Sequence, residues 1–423
     1  MPRKGLKLSL WCVCAVLKTV SAPFLHRSVM GTSLSFPSLE PSICRSPSAS
    51  FRRSRMRFRQ SLASLGFAPW WPFFLTFAFW KLSWLCGPYY CMAESEGFVV
   101  YDTNTFALAR DPQGRTLITF EDDSAQILLS RTLGRGAFSK VKFGLRTFTD
   151  ESGRHEDQYA VKKMHKLSLE KNRCSVYDDE GIPAIANNLE KVRMEISIWR
   201  QLCHPNVVRL YEVLDSAEED YMFLILEYAD SGQIMTWDTA KQRYVHSAAL
   251  LSALSGPLEA VARFVFRQVA EALLYLHTLP RPVIHRDVKP DNILYTSKTH
   301  QVKLTDFTVA RQLPTAEALC WDSAGTTAFL APESMISGTP YSGQKFDAWA
   351  MGVSLYAFMS EGKLPFWDPE HELHMQLMIQ NDEPEYQTGW SEPLDKLVKG
   401  LLCKDPERRT TLEEFLASSW HNE

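Results

Sequence analysis

The segment Val283-Ile284-His285-Arg286-Asp287-Val288-Lys289-Pro290-Asp291-Asn292-Ile293-Leu294-Tyr295 constrains this chain more than any other. Two apolar bookends hold a polar loop that carries an acid, a lysine and an amide within six residues, Asp287 to Asn292. That is equipment for aligning a hydroxyl against a phosphoryl group. Eleven residues past Tyr295, a further apolar strand, Val302-Lys303-Leu304-Thr305, delivers Asp306-Phe307 and with it a carboxylate suited to Mg2+.

The remaining chemistry lies upstream. Gly134-Arg135-Gly136 joins two expected strands, and glycines there let the backbone close over a polyphosphate, with Val141 offering an apolar face to a flat base. The turn is no Walker loop, because Ser139 and Val141 flank Lys140, and no dinucleotide fingerprint, because a strand follows it. Lys162 ends the strand Tyr159-Ala160-Val161-Lys162, where an interior ammonium needs a carboxylate from elsewhere. Helical periodicity names that carboxylate. Glu195 shares a face with Val192, Trp199 and Leu202, whereas Glu190 lies with Arg193, Met194 and Ser197.

Composition sets the frame for these motifs. The chain has 423 residues, 45% of them apolar, which excludes disorder throughout. Its formal charge of −3 hides an asymmetry, since residues 1–97 carry 12 Lys/Arg against 3 Asp/Glu. The main body is acidic and gives no case for nucleic-acid binding. Nine cysteines support neither a disulfide framework nor a zinc site and read as reduced thiols. Residues 1–97 form a basic, Ser/Arg-rich leader, and its apolar stretch 62–85 reads as a membrane-associated segment, a targeting peptide or part of an unstructured leader. Residues 98–126 are expected to extend a domain at 127–423, whose strands (127–131, 140–145, 159–163, 208–214 and 221–228) precede long helices from 258 on. A helix at 189–202 interrupts the strands. A β-rich first part and a helical second part read as α+β in two lobes, 127–228 and 229–423.

Taken in order, these motifs resemble a eukaryotic protein kinase domain, a two-lobed fold with a small β-rich lobe containing one main helix and a larger helical lobe. Ala331-Pro332-Glu333, Asp347 with Trp349 and Gly352, and Arg409 as partner of Glu333 fit the same family. Lys289, together with Gly325-Thr326, resembles serine/threonine kinases. Within kinases, residues 189–214, the passage Leu226-Glu227 to Met235, and Gly325 to Glu333 are most similar to the calcium/calmodulin-dependent protein kinase kinases. Residues 164–188 stand where that family carries an Arg/Pro-rich insert, but are not Arg/Pro-rich, and calmodulin is not expected as a partner.

The resemblance implies an ATP- and Mg2+-dependent transfer of the γ-phosphate to protein substrates, with other kinases' activation loops among them. Asp287, Lys289, Lys162 and Glu195 would be catalytic. Leu133, Gly134, Gly136, Val141, Ala160, Lys162, Leu226, Glu227 and Ala229 would bind the nucleotide, and Asn292 and Asp306 the metal. Arg286, Ser323 and Thr326 would be regulatory, with phosphate on Ser323 ordering the activation segment through Arg286. A cytoplasmic kinase domain is implied, with membrane association through 62–85. Asp306-Phe307-Thr308 departs from the family's Asp-Phe-Gly. A β-branched residue there is expected to strain or restrict the backbone, so that Thr308→Gly is at least as active as the parent, and the alternative function is a catalytically impaired scaffold.

Overall fold

The computed structural model describes residues 100–422 except 104, 121–124, 137, 151–152 and 178–181. The leader 1–97 and its apolar stretch 62–85 lie outside the described residues. Among the described residues eight strands form one sheet: β1 (Tyr101–Thr103), β2 (Phe106–Arg110), β3 (Thr116–Phe120), β4 (Ala125–Arg135), β5 (Ser139–Asp150), β6 (Gly153–His165), β9 (Leu210–Leu214) and β10 (Tyr221–Glu227). β7 (Arg173–Tyr177) and β8 (Pro183–Asn187) form a separate hairpin.

The sheet order is β1-β9-β10-β6-β5-β4-β3-β2, antiparallel throughout except for β1 beside β9. The stretch expected as an N-terminal extension of the domain, 98–126, supplies β1, β2 and β3 to this sheet. The turn between β2 and β3 is built as its sequence suggests. Asp111 Oδ1 accepts the N–H groups of Gln113 at 3.0 Å and Arg115 at 2.7 Å, and Gly114 takes φ 75°.

β10 reads as a nearly unbroken apolar run because both of its faces are covered. Phe223 and Ile225 join Ile118, Ile127, Leu129 and Val161 on one face, while Leu224 and Leu226 belong to the main core with Val192, Ile196 and Trp199. The latter three come from the helix Asn188–Trp199. Asn187 caps it, accepting the Glu190 N–H at 2.9 Å, and Glu190 returns a carboxylate to the Asn187 N–H at 3.1 Å. Glu190 is thus spent at the helix start, and Glu195, one turn on, points into the core with 2% exposure.

The insert after β6 folds as the short helix Lys166–Lys171 and the β7–β8 hairpin. The larger lobe is mainly helical and centred on the packing of Leu258–His277 against Gly343–Met359, with Phe266, Leu273, Trp349, Phe358 and Trp420 buried. Among the described residues no single helix is long and apolar enough to cross a membrane. A pair bent by 101°, Ala248–Leu254 with Leu258–His277, passes by length and composition only together, and its longer limb is a buried core helix.

Candidate active site

Cross-strand register assembles the upper wall of a cleft between the lobes. Gly134 pairs with Val141, Val141 with Lys162, and Lys162 with Leu224, while Ala160 faces Leu226. The cleft encloses about 830 Å3, and Leu133, Gly134, Gly136, Val141, Ala160, Lys162, Leu226, Glu227 and Ala229 all line it. A Cβ built on Gly134 would meet nothing within 4 Å, so the backbone there faces open space. The Glu227 carboxylate is committed to Lys303 at 2.7 Å and to the Arg209 N–H at 3.2 Å.

The lower wall comes from two small two-stranded sheets, of which one is a hairpin. Ile293–Thr296 pairs antiparallel with Gln301–Leu304, which brings Asn292, just before the first strand, beside Thr305 and Asp306, just after the second. The Thr305 N–H donates to Asn292 O at 3.0 Å. Val283–Ile284 pairs with Arg311–Gln312 and fixes the start of the polar loop. Asp347, buried in the helix Gly343–Met359, accepts the N–H groups of His285 at 2.9 Å and Arg286 at 2.8 Å, and the His277 ring lies 2.8 Å from the same carboxylate. This bracing holds Arg286 at φ 64°, a left-handed angle unusual for a side-chain-bearing residue.

Four of the expected site residues meet at Asp287. Its Oδ2 accepts Asn292 Nδ2 at 2.9 Å and lies 2.8 Å from Lys289 Nζ, while its Oδ1 accepts the Thr326 hydroxyl at 2.7 Å and the Thr326 N–H at 3.1 Å. Thr326, expected to be regulatory, therefore sits on the Asp287 carboxylate itself. Gly325 makes this approach feasible, because at φ 124° a Cβ would lie 2.3 Å from Arg286 O.

Lys162 and Glu195 meet at 2.6 Å, both buried, and Asp306 Oδ1 lies 3.5 Å from the same ammonium. Burial alone would lower the Lys162 pKa, but the Glu195 and Asp306 carboxylates hold it above its ordinary value and keep it charged. Burial likewise acts to raise Asp306, yet Lys162 and the Thr308 hydroxyl carry it below the ordinary carboxylate value. Phe307 is fully buried, its ring 5.2 Å from Trp199 and 5.0 Å from His285, so the helix carrying Glu195 and the loop carrying Asp287 are packed through one side chain.

The expected backbone strain at Thr308 is corrected by the structure. The left-handed angle falls on Asp306, φ 66°, and Thr308 is not among the residues with positive φ. What the threonine adds is a hydroxyl, hydrogen-bonded to Asp306 and to Lys162. Arg311 was not expected at the site. It joins Arg286 on Asp322, at 3.2 and 2.6 Å respectively, and Ser323 stands exposed beside that carboxylate.

Comparison with known proteins agrees with this geometry. The profile of the family described as Protein kinase domain matches residues 128–421. The chain belongs to the protein kinase family. Its kinase domain is of the eukaryotic serine/threonine type. It is 33% identical over 308 residues to the calcium/calmodulin-dependent protein kinase kinase of Caenorhabditis elegans, covering 70% of this chain and 52% of that one. It is 34% identical to Serine/threonine-protein kinase GRIK1 of Arabidopsis thaliana, covering 76% and 72%, and 34% identical to a probable serine/threonine-protein kinase of Dictyostelium discoideum, covering 69% and 37%. The chain thus spans about half the length of the first of these relatives and less of the third. Kinase membership implies, in general terms, the use of ATP and Mg2+ and action on protein substrates.

Proposed function

We propose that this kinase domain is catalytically competent and transfers the γ-phosphate of ATP to serine or threonine hydroxyls of proteins. The observation that carries the reading is the Lys162–Glu195 ion pair at 2.6 Å, with Lys162 lining the same cleft as Asp306, Asn292 and Lys289. Lys162, kept charged by Glu195, would meet the α- and β-phosphates, with the Gly134–Gly136 turn closing over them. Leu133, Val141, Ala160 and Leu226 would enclose the adenine, and the backbone of Glu227 and Ala229 would hydrogen-bond it. The donor set suits Mg2+, which takes one or two side-chain oxygens together with phosphate oxygens and water; here those side chains would be Asp306 and Asn292. The metal supplies neutralisation of phosphate charge. Asp287 would accept the substrate hydroxyl proton, and Lys289 would stabilise charge on the transferred group.

The name of the C. elegans relative and the stretches shared with that family support a narrower reading, in which the substrates are activation loops of other kinases. We also propose domain limits of 127–423, with a cytoplasmic kinase domain and membrane association through 62–85. The decisive assay is transfer of labelled phosphate by the full chain to a generic basic protein and to a kinase activation-loop peptide, with Asp287→Asn beside it. Equal rates for parent and variant would reject catalysis and leave the scaffold alternative.

Regulation centres on Arg286, whose Nη1 donates to Asp322 at 2.6 Å. Phosphate on Ser323 would add charge beside a guanidinium that already holds a carboxylate. Asp322→Asn is therefore expected to lower the rate about tenfold, the worth of a hydrogen bond to a charged group, and phosphorylation of Ser323 to recover most of it. Rates of the variant with and without mass-spectrometry-verified phosphate check this. The clasp also has a pH signature. Burial acts to raise the Asp322 pKa, and Arg286 and Arg311 outweigh it, holding the group below its ordinary 3.8. Its stabilisation is thus fully present above that ordinary value and is lost as pH falls through the depressed folded value, so Asp322→Asn is expected to flatten the acid limb of the unfolding curve.

A further inference from the structure

Thr308 stands where the family has glycine, and its hydroxyl lies among the three charged groups of the upper site. Oγ1 accepts a hydrogen bond from Lys162 Nζ at 3.2 Å and donates to Asp306 Oδ1, and Glu195 Oε1 lies 3.4 Å away. A hydroxyl has one proton, so it serves one carboxylate at a time, and the nearer is Asp306. The remaining features show why a link is needed there. The Asp306 side chain keeps 43% exposure, its nearest cation is shared with Glu195, and its backbone holds a left-handed angle that persists only when surroundings enforce it. Glu195 Oε2 is buried with no hydrogen-bond partner, so this carboxylate is held through Oε1 alone, by Lys162.

We propose that the Thr308 hydroxyl is a positioning group that ties Asp306 to the Lys162–Glu195 pair before nucleotide or metal arrives. It presents the carboxylate already aimed, where a glycine would leave that segment free to swing. The inference rests on the reading of Asp306 as the metal-holding group and reverses the expectation from sequence that Thr308→Gly is harmless. Phe307, wedged against Trp199 and His285, and Thr308 are adjacent, so the wedge and the tie act on one segment. The Ala310 N–H, donated to Phe307 O at 3.0 Å, closes the turn and reports on its integrity.

The test compares Thr308→Val, Thr308→Ser and Thr308→Gly in the full chain. Valine keeps the β-branched shape without the hydroxyl, and serine keeps the hydroxyl without the methyl. Amide exchange at Ala310 in nucleotide-free protein is expected to speed up about tenfold in the valine and glycine variants and to stay near the parent rate in the serine variant. The specificity constant for MgATP should fall about tenfold in the first two and be largely retained by serine. Parent-like exchange and catalysis in Thr308→Val overturn the proposal, as does a loss in the serine variant equal to that in the valine variant, which would show that the hydroxyl by itself does not hold the segment. If parent and Asp287→Asn show the same phosphate transfer, the kinase reading fails, and the exchange rates alone decide the hydroxyl's role.

Discussion

Asp287→Asn is expected to lower phosphate transfer by roughly 1000-fold, within the range for loss of a general base. The substitution is close to isosteric, but it is not electrostatically silent in this setting. Both carboxylate oxygens face donors: Thr326 on one side, Asn292 and Lys289 on the other. An amide must turn its NH2 towards one of these sets, so proton acceptance is lost and Thr326 or Lys289 is displaced as well. Lys162→Met and Asp306→Ala should each cost at least about 100-fold, the first through a phosphate contact and the second through a metal ligand. The measurement is labelled phosphate transfer at saturating ATP, paired with nucleotide binding by calorimetry. Asp287→Asn should bind nucleotide nearly as the parent does, whereas Lys162→Met should bind it more weakly. Residual transfer untouched by all three changes would sink the assignment.

The sequence carried this site further than it carried the fold around it, and the reason is locality. Asn292 and Asp306 flank a hairpin whose two strands are legible as apolar runs, so their meeting follows from pairing alone. Glu195 is distinguished from Glu190 by helical period, and the structure adds the capping box that explains where Glu190 goes. Contacts between distant segments left no such trace. Trp199 meets Phe307 across the whole site, and Arg311 meets Asp322 through a turn of the activation segment with no periodic signal. β1 is three residues long and joins the sheet parallel to β9, too short to show any alternation. At position 308 the sequence speaks to backbone preference, which is local; the hydroxyl's contact with Lys162 exists only once the strand Gly153–His165 has packed against the segment carrying Asp306 and Thr308.

The second large effect lies far from the phosphates. Arg409 is fully buried, and its guanidinium forms a paired bridge to Glu333, Nη1 to Oε1 at 2.6 Å and Nη2 to Oε2 at 2.8 Å. It also donates to the carbonyls of Cys403 at 3.0 Å, Lys345 at 2.9 Å and Lys404 at 3.4 Å, and lies over the Trp349 ring. Every N–H of the fork is therefore directed at an acceptor, which a lysine with a single ammonium cannot reproduce. Arg409→Met fills the space but strands the Glu333 carboxylate and three carbonyls, at a cost of about 3–5 kcal/mol. Glu333 is the second residue of the turn Pro332–Met335, which follows the segment carrying Gly325 and Thr326, so the same change is expected to loosen that segment and reduce activity. Urea unfolding of the parent, Arg409→Met, Glu333→Gln and the double variant separates the pair from its surroundings. The double variant is expected to be clearly more stable than the sum of the single losses allows, because no buried charge is then left without its partner. Strict additivity would show that the two side chains stabilise the lobe independently, and that the bridge does not anchor the activation segment.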